Sequence, residues 1–246
     1  MTVVPVLLYH RVSEAAGDRF AVAPARFRAH LAAIRDAGRS PLTVSQLAAA
    51  LRGERELPQR PVAITFDDGY LDTPDAVAAL CEAGLSATVF ITTGAVGRSD
   101  GIRAAQIREL AALGSAVELG AHTVSHPRLD ELPAVRARAE IAGSKRALEA
   151  LAGRPINVFA YPHGAYDARA RELVREAGFR CAAAVKNALS HAGDDPWAIA
   201  RMTVERDTPV ERVRALIDGH GAPLAWAGDR LRTRAYRQVR RARRRL

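Results

Sequence analysis

Pro61-Val62-Ala63-Ile64-Thr65-Phe66-Asp67-Asp68-Gly69-Tyr70 is a short apolar, β-branched run that stops abruptly at two adjacent carboxylates and a glycine. The run reads as an interior strand, and Gly69 permits the backbone angle that ends it. Two neighbouring carboxylates repel unless positive charge lies beside them, and a bound metal ion would supply that charge. Asp and Gly are also ordinary turn residues, so these residues taken alone describe a plain turn about as well.

Outward from this stretch, strand patterns fall near 3–9, 62–67, 87–91, 116–121, 157–161, 181–185 and 199–204, and helical patterns near 24–37, 44–52, 72–83, 103–113, 133–152, 167–177 and 209–218 separate most of them. Such alternation argues for an α/β chain with a parallel sheet. Thr43 is a candidate helix cap, Pro133 suits a first helical turn, and Gly38, Gly84, Gly114 and Gly178 each follow a helical run. Asp67, His122 and Tyr161 all lie at C-terminal ends of predicted strands, the face on which barrel enzymes assemble their sites. The 246 residues and 48% hydrophobic content suit one domain around one core. Spacing alone fits an open doubly wound sheet as well as a barrel.

A second segment, His122-Thr123-Val124-Ser125-His126, places two imidazoles four residues apart behind the apolar run Val117-Glu118-Leu119-Gly120-Ala121. On a helical turn that spacing turns both rings to one side. Two histidines and one carboxylate make three protein ligands and leave a coordination position for water or substrate, the mark of a catalytic metal site. An exposed or core-satisfied histidine pair is the bland alternative, and the aspartates weigh against it.

These two segments resemble the first two motifs of the polysaccharide deacetylases, the chitooligosaccharide deacetylase homology family or carbohydrate esterase family 4. A third, Phe159-Ala160-Tyr161-Pro162-His163-Gly164, is similar to the groove-forming third motif, and the likeness covers roughly residues 3 to 220. It implies a single-domain, distorted (β/α) barrel of about seven parallel strands. It also implies a hydrolase of carbon–nitrogen, non-peptide bonds that removes acetyl groups from N-acetylated sugars with a divalent metal ion. Zinc is the first choice of metal, and cobalt or nickel are alternatives. By the same resemblance Asp67 is the catalytic base, while Asp68, His122 and His126 are the metal ligands. The chemistry agrees, since such a metal lowers the pKa of its water to about 7 and an ionised Asp67 can take the proton.

The chain also departs from the pattern. An arginine that orients the base in many members is replaced by Ala160, and His220 lies in surroundings unlike the usual C-terminal motif. The segment Val6-Leu7-Leu8-Tyr9-His10-Arg11-Val12 resembles the start of the poly-N-acetylglucosamine deacetylase branch, which makes His10 the preferred proton donor. A loop-bonding histidine is its structural alternative. Tyr161, Pro162 and His163 are expected to line the sugar groove, with the Tyr161 amide donating to the acetate oxygen. Trp197 is expected in the acetyl pocket or the core.

Cys81 and Cys181 sit among apolar neighbours and read as buried free thiols. The N-terminus lacks a basic leader and no stretch reaches membrane-spanning length, so the expected location is cytoplasmic, with a peripheral position at the inner membrane face. That location favours an N-acetylated sugar, an oligosaccharide or a lipid-linked glycan precursor as substrate. Residues 1–225 are read as the catalytic domain and 226–246 as a basic tail, helical or partly disordered. Between Arg230 and Arg245 this tail carries nine arginines and no acid; removing them from 36 basic residues leaves 27, equal to the 27 acids, so the net charge of +9 resides in that stretch. Such a segment suits an anionic membrane surface, at about 1 kcal/mol per basic residue, and no specific nucleic acid is expected. The alternative to an enzyme is a catalytically decayed sugar-binding or membrane-associated scaffold protein on the same fold.

Overall fold

The computed structural model describes residues 2–15, 17–226, 228 and 240. Its elements run β1 (Val3–Val4), β2 (Val6–Tyr9), β3 (Arg11–Val12), β4 (Ala21–Val22), α1 (Pro24–Asp36), β5 (Ser40–Leu42), α2 (Val44–Leu51), β6 (Pro61–Phe66) and α3 (Thr73–Glu82). They continue with β7 (Ala87–Ile91), α4 (Ala104–Ala112), β8 (Val117–Ala121), α5 (Ala134–Ala152), β9 (Val158–Ala160), α6 (Ala168–Glu176), β10 (Cys181–Ala183), β11 (Ser190–His191), β12 (Met202–Thr203) and α7 (Val210–Ile217).

Seven strands follow one another as β10-β9-β8-β7-β6-β2-β12, all parallel, and form a curled half-barrel consistent with the distorted (β/α) barrel. All six residues of β6 are buried, as an interior strand flanked by neighbours and covered by helices requires. The segment around β12 reaches both ends of this path. Ile199 bridges Ala183 beside β10, with Ala184 N donating to Ile199 O at 2.8 Å, while Met202 pairs with Leu7 of β2. Residues 199–203 therefore span the gap between the first and last strands.

An eighth strand, β5, was not expected, because Pro41 in its middle obscures the pattern. It pairs only with the N-terminal half of β6, Ser40 opposite Pro61 and Leu42 opposite Ala63, an edge position that tolerates a proline. Helix boundaries follow local chemistry. Thr43 caps α2 through its side chain, which accepts from Gln46 N, while the Gln46 side chain accepts from Thr43 N in a capping box. Pro133 stands one residue earlier than expected, as the cap of α5. At Gly120 the strands approach so closely that a Cβ would lie 2.5 Å from the Phe90 ring, so β8 and β7 meet there only because the side chain is absent.

Among the described residues no helix is long and apolar enough to cross a membrane. The expected tail lies outside the described residues apart from Trp226, Gly228 and Arg240. Arg240 Nε lies 2.8 Å from Glu131 Oε1, and Nη2 lies 3.4 Å from Asp130 Oδ2. Cys81 and Cys181 are unbridged, Cys181 being buried and Cys81 partly so.

Candidate active site

His10 follows β2, Asp67 and Asp68 follow β6, His122 follows β8 and His163 follows β9, so each leaves the C-terminal end of a parallel strand. They meet at a cavity of about 570 Å³ that is also lined by Arg19, Phe20, Tyr70, Asn187 and Glu205. The turn after β6 takes Asp68 (φ 72°) and Gly69 (φ 72°) into the left-handed region, with Gly69 N donating to Asp67 O at 2.9 Å. This sharp turn directs the two carboxylates to different surroundings. Asp67 is 2% exposed inside the barrel, and the Asp68 side chain, at 21%, faces the cavity.

The two histidines lie on a loop rather than on the helical turn their spacing suggested. Thr123 (φ 65°) and His126 (φ 61°) are both left-handed, which no helix accommodates. The loop is pinned by Glu140 of α5, whose carboxylate accepts from Val124 N at 2.9 Å, Ser125 N at 2.8 Å and Ser125 Oγ at 2.6 Å. Thr123 Oγ1 in turn accepts from His126 N at 3.0 Å. The backbone thus brings the rings together by a turn of its own, with Nε2 of His126 and Nε2 of His122 3.1 Å apart.

Asp68 Oδ1 lies 3.6 Å from His122 Nε2 and 3.2 Å from His126 Nε2. Ligand atoms of one tetrahedral zinc at about 2.1 Å sit roughly 3.4 Å apart, so the three atoms fit a single small divalent ion. His122 Nδ1 is 2.8 Å from Ala160 O; as the donor there, it leaves the Nε2 lone pair for the site. Burial pushes the His122 pKa down to about 3, against the pull of Asp67, so the ring is neutral and able to ligate. Burial also lowers His126. Asp68 is raised to about 6 by burial and then by repulsion from Asp67.

Asp67 has a different partner. Arg201, fully buried, forks onto it, Nη1 to Oδ1 at 2.6 Å and Nη2 to Oδ2 at 2.8 Å. The guanidinium also donates to Thr65 Oγ1 and Ala184 O and lies over the Phe90 ring at 5.2 Å. Burial would raise the Asp67 pKa, but the charge of Arg201 and the hydrogen bonds it donates overcome it and hold the carboxyl at about 2. The arginine that Ala160 replaces in the third motif is thereby made good from elsewhere. An arginine does steady Asp67, and it arrives from the closing segment rather than from the third motif. Its signal in the sequence was a lone basic residue inside the apolar strand pattern at 199–204.

The remaining expected residues divide. His10 and His163 line the cavity, and the His163 ring lies 4.5 Å from that of His126. Tyr161, Pro162 and Trp197 are not among the lining residues. Tyr161 is fully buried, its hydroxyl donating to Trp197 O at 3.1 Å and its amide to Ala183 O at 3.0 Å, so neither group faces a substrate. Trp197 packs against the core beneath Arg175. His220 is exposed and is not among the lining residues, so of the two candidate proton donors only His10 lines the cavity.

A parallel half-barrel with an Asp-His-His cluster and a separately buried aspartate at its strand ends is the architecture of a carbohydrate deacetylase. The family profile of the polysaccharide deacetylases matches residues 54–182, and the chain belongs to that family. Its members remove acetyl groups from acetylated sugars with the help of a metal ion. Along most of its length the chain is similar to YxkH of Bacillus subtilis (strain 168), itself assigned to the polysaccharide deacetylases, at 27% identity over 82% of this chain and 71% of the relative. A shorter stretch of 64 residues, 25% of this chain and 10% of the relative, is 41% identical to the poly-β-1,6-N-acetyl-D-glucosamine N-deacetylase of Escherichia coli (strain K12). Among solved structures, IcaB from Ammonifex degensii superposes with a TM-score of 0.79 at 26% identity, covering 88% of this chain and 97% of that one.

Proposed function

We propose that this protein is a metal-dependent hydrolase that removes the acetyl group from an N-acetylated sugar in a polysaccharide or oligosaccharide, with Asp67 as the base. The observation that carries this reading is the pairing of an Arg201-bound, ionised Asp67 with the neutral His122–His126 pair and Asp68 across one cavity. Asp68, His122 and His126 would hold the ion, which when bound supplies Lewis acidity for water activation and carbonyl polarisation. Zinc suits the donor set, and cobalt and nickel are the alternatives.

The chain's own groups account for the proton movements. Asp67 takes the proton of the attacking water, and Arg201 keeps its carboxylate charged and aimed while it does so. His10, on the cavity wall, gives a proton to the departing nitrogen. A polymeric substrate is supported by the Escherichia coli relative, which is named for poly-β-1,6-N-acetyl-D-glucosamine. The alternative of a decayed binding protein drew on the missing third-motif arginine and on the unassigned proton donor; Arg201 bears on the first of these, and the acetate-release assay decides the second.

The test is acetate release from N-acetylglucosamine oligomers together with metal analysis. His122→Ala and His126→Ala are expected to lose bound metal and turnover together. Asp67→Asn should keep the metal and lose about 10²–10⁴-fold in kcat. A near-normal rate in Asp67→Asn would show that the base lies elsewhere.

A further inference from the structure

His10 and His122 are held in different ways. The His122 ring is hydrogen-bonded to Ala160 O, whereas His10 Nδ1 is buried with no hydrogen-bond partner among the described residues. The His10 ring instead stacks on Phe20, with centroids 4.6 Å apart and planes inclined by 29°. The guanidinium of Arg19 lies 5.3 Å from the Phe20 ring centre and is paired with Glu205. All four residues line the cavity. The backbone beneath the stack is tied on three sides. Arg11 N donates to Phe20 O at 3.4 Å, Phe20 N donates to Asp18 Oδ1 at 2.8 Å, and Arg206 N donates to Arg19 O at 2.8 Å. The aromatic ring is therefore anchored both to β3 and to the segment that follows β12.

We infer that Phe20 is a positioning residue for the proton donor His10, its face setting the plane of the imidazole that a hydrogen bond sets in His122. This inference rests on the assignment of His10 as donor. In the step concerned the carbon–nitrogen bond of the tetrahedral adduct breaks and its electron pair moves onto nitrogen. The nitrogen takes the proton of His10, yielding the amino sugar and acetate. The proton that Asp67 took from water balances the one His10 gives. Stacking suits this role because it fixes the ring while leaving its nitrogens free to exchange a proton. Small misplacements of a reacting group are expensive in rate, up to about a hundredfold for roughly 1 Å.

The experiment compares two substrates, N-acetylglucosamine oligomers and an aryl acetate whose phenolate departs without needing a proton. Phe20→Leu is expected to lose about tenfold or more in kcat on the amide. Its KM, metal content and melting temperature should stay close to wild type, and its rate on the ester should be kept. Phe20→Tyr, which retains the ring, should restore the amide rate. Equal losses on both substrates, or none on the amide, would overturn the inference. His10→Ala separates the two levels. If that variant cleaves the amide at the wild-type rate, the donor assignment fails; if it is slow while Phe20→Leu is not, only the positioning role fails. Should Phe20→Leu not fold, Arg19→Ala removes the outer layer of the stack from an exposed position. It is expected to show the same amide-only loss at smaller size, and no such loss would count against the inference.

Discussion

Arg201 and Asp67 share two short hydrogen bonds in a place that water does not reach, so removing either partner strands a charge. Arg201→Met is expected to destabilise the fold by about 3–5 kcal/mol, because the carboxylate stays desolvated without its guanidinium. Chemical denaturation checks the size. The double variant Arg201→Met with Asp67→Asn should recover much of the loss, since it buries no unpaired charge. A single variant as stable as wild type would mean that Asp67 has a second, equivalent partner. At this scale the candidate metal ligands were legible because three residues, Asp68, His122 and His126, carry them in two compact segments. Arg201 was not, because it lies 134 residues from Asp67 and only the curvature of the sheet brings them together. Tyr161 lies away from the cavity and Trp197 takes the core rather than the pocket position for a related reason. Aromatic residues beside a motif suit a sugar groove and a core equally, and only packing separates the two.

Strands and helices were more readable than the turns between them. Every expected helix forms within a residue or two of its pattern, since capping and glycine signals are local. The loop carrying the two histidines was misjudged as a helical turn because the decisive partner, Glu140, stands on a different element. Gly120 offers a test of how tightly the strands are matched. A methyl group there would enter the Phe90 ring, on whose face the Arg201 guanidinium lies. Gly120→Ala is expected to cost about 1–3 kcal/mol and to lower turnover, as Phe90 shifts and disturbs the arginine behind it. A companion variant, Gly120→Ala with Phe90→Leu, should regain stability if the clash is the cause. Melting temperature and acetate release together distinguish this from a change confined to the strand.

Across the whole molecule the (β/α) order was readable from alternation, while the closing of the sheet was not, because the segment at 199–203 divides its pairing between two strands. Global stability should depend on pH through a histidine outside the Asp68–His122–His126 cluster. His30 on α1 is fully buried, with Nδ1 3.1 Å from the Tyr9 hydroxyl and Nε2 3.1 Å from Thr208 O. Burial lowers its pKa below the ordinary 6.5, although the Thr208 carbonyl opposes this. The unfolded chain therefore binds the proton more readily. The stability this ring contributes is present above about pH 6.5 and is lost as the pH falls towards its folded pKa. With chelator present, so that metal loss does not intervene, the fall in melting temperature between about pH 8 and pH 5 should be smaller in His30→Gln than in wild type. An unchanged difference would place the pH dependence on other groups.

The position of Arg201 in the last segment to join the sheet also bears on when the protein becomes active during its synthesis. Asp67 leaves the ribosome early and waits through more than half the chain's length for its counter-charge. Until then a nascent chain can hold Asp68, His122 and His126 and yet lack the guanidinium that pairs with Asp67. Completion of the Asp67 site is a late event along this chain, arriving beside the final strand rather than with the motifs that announce it.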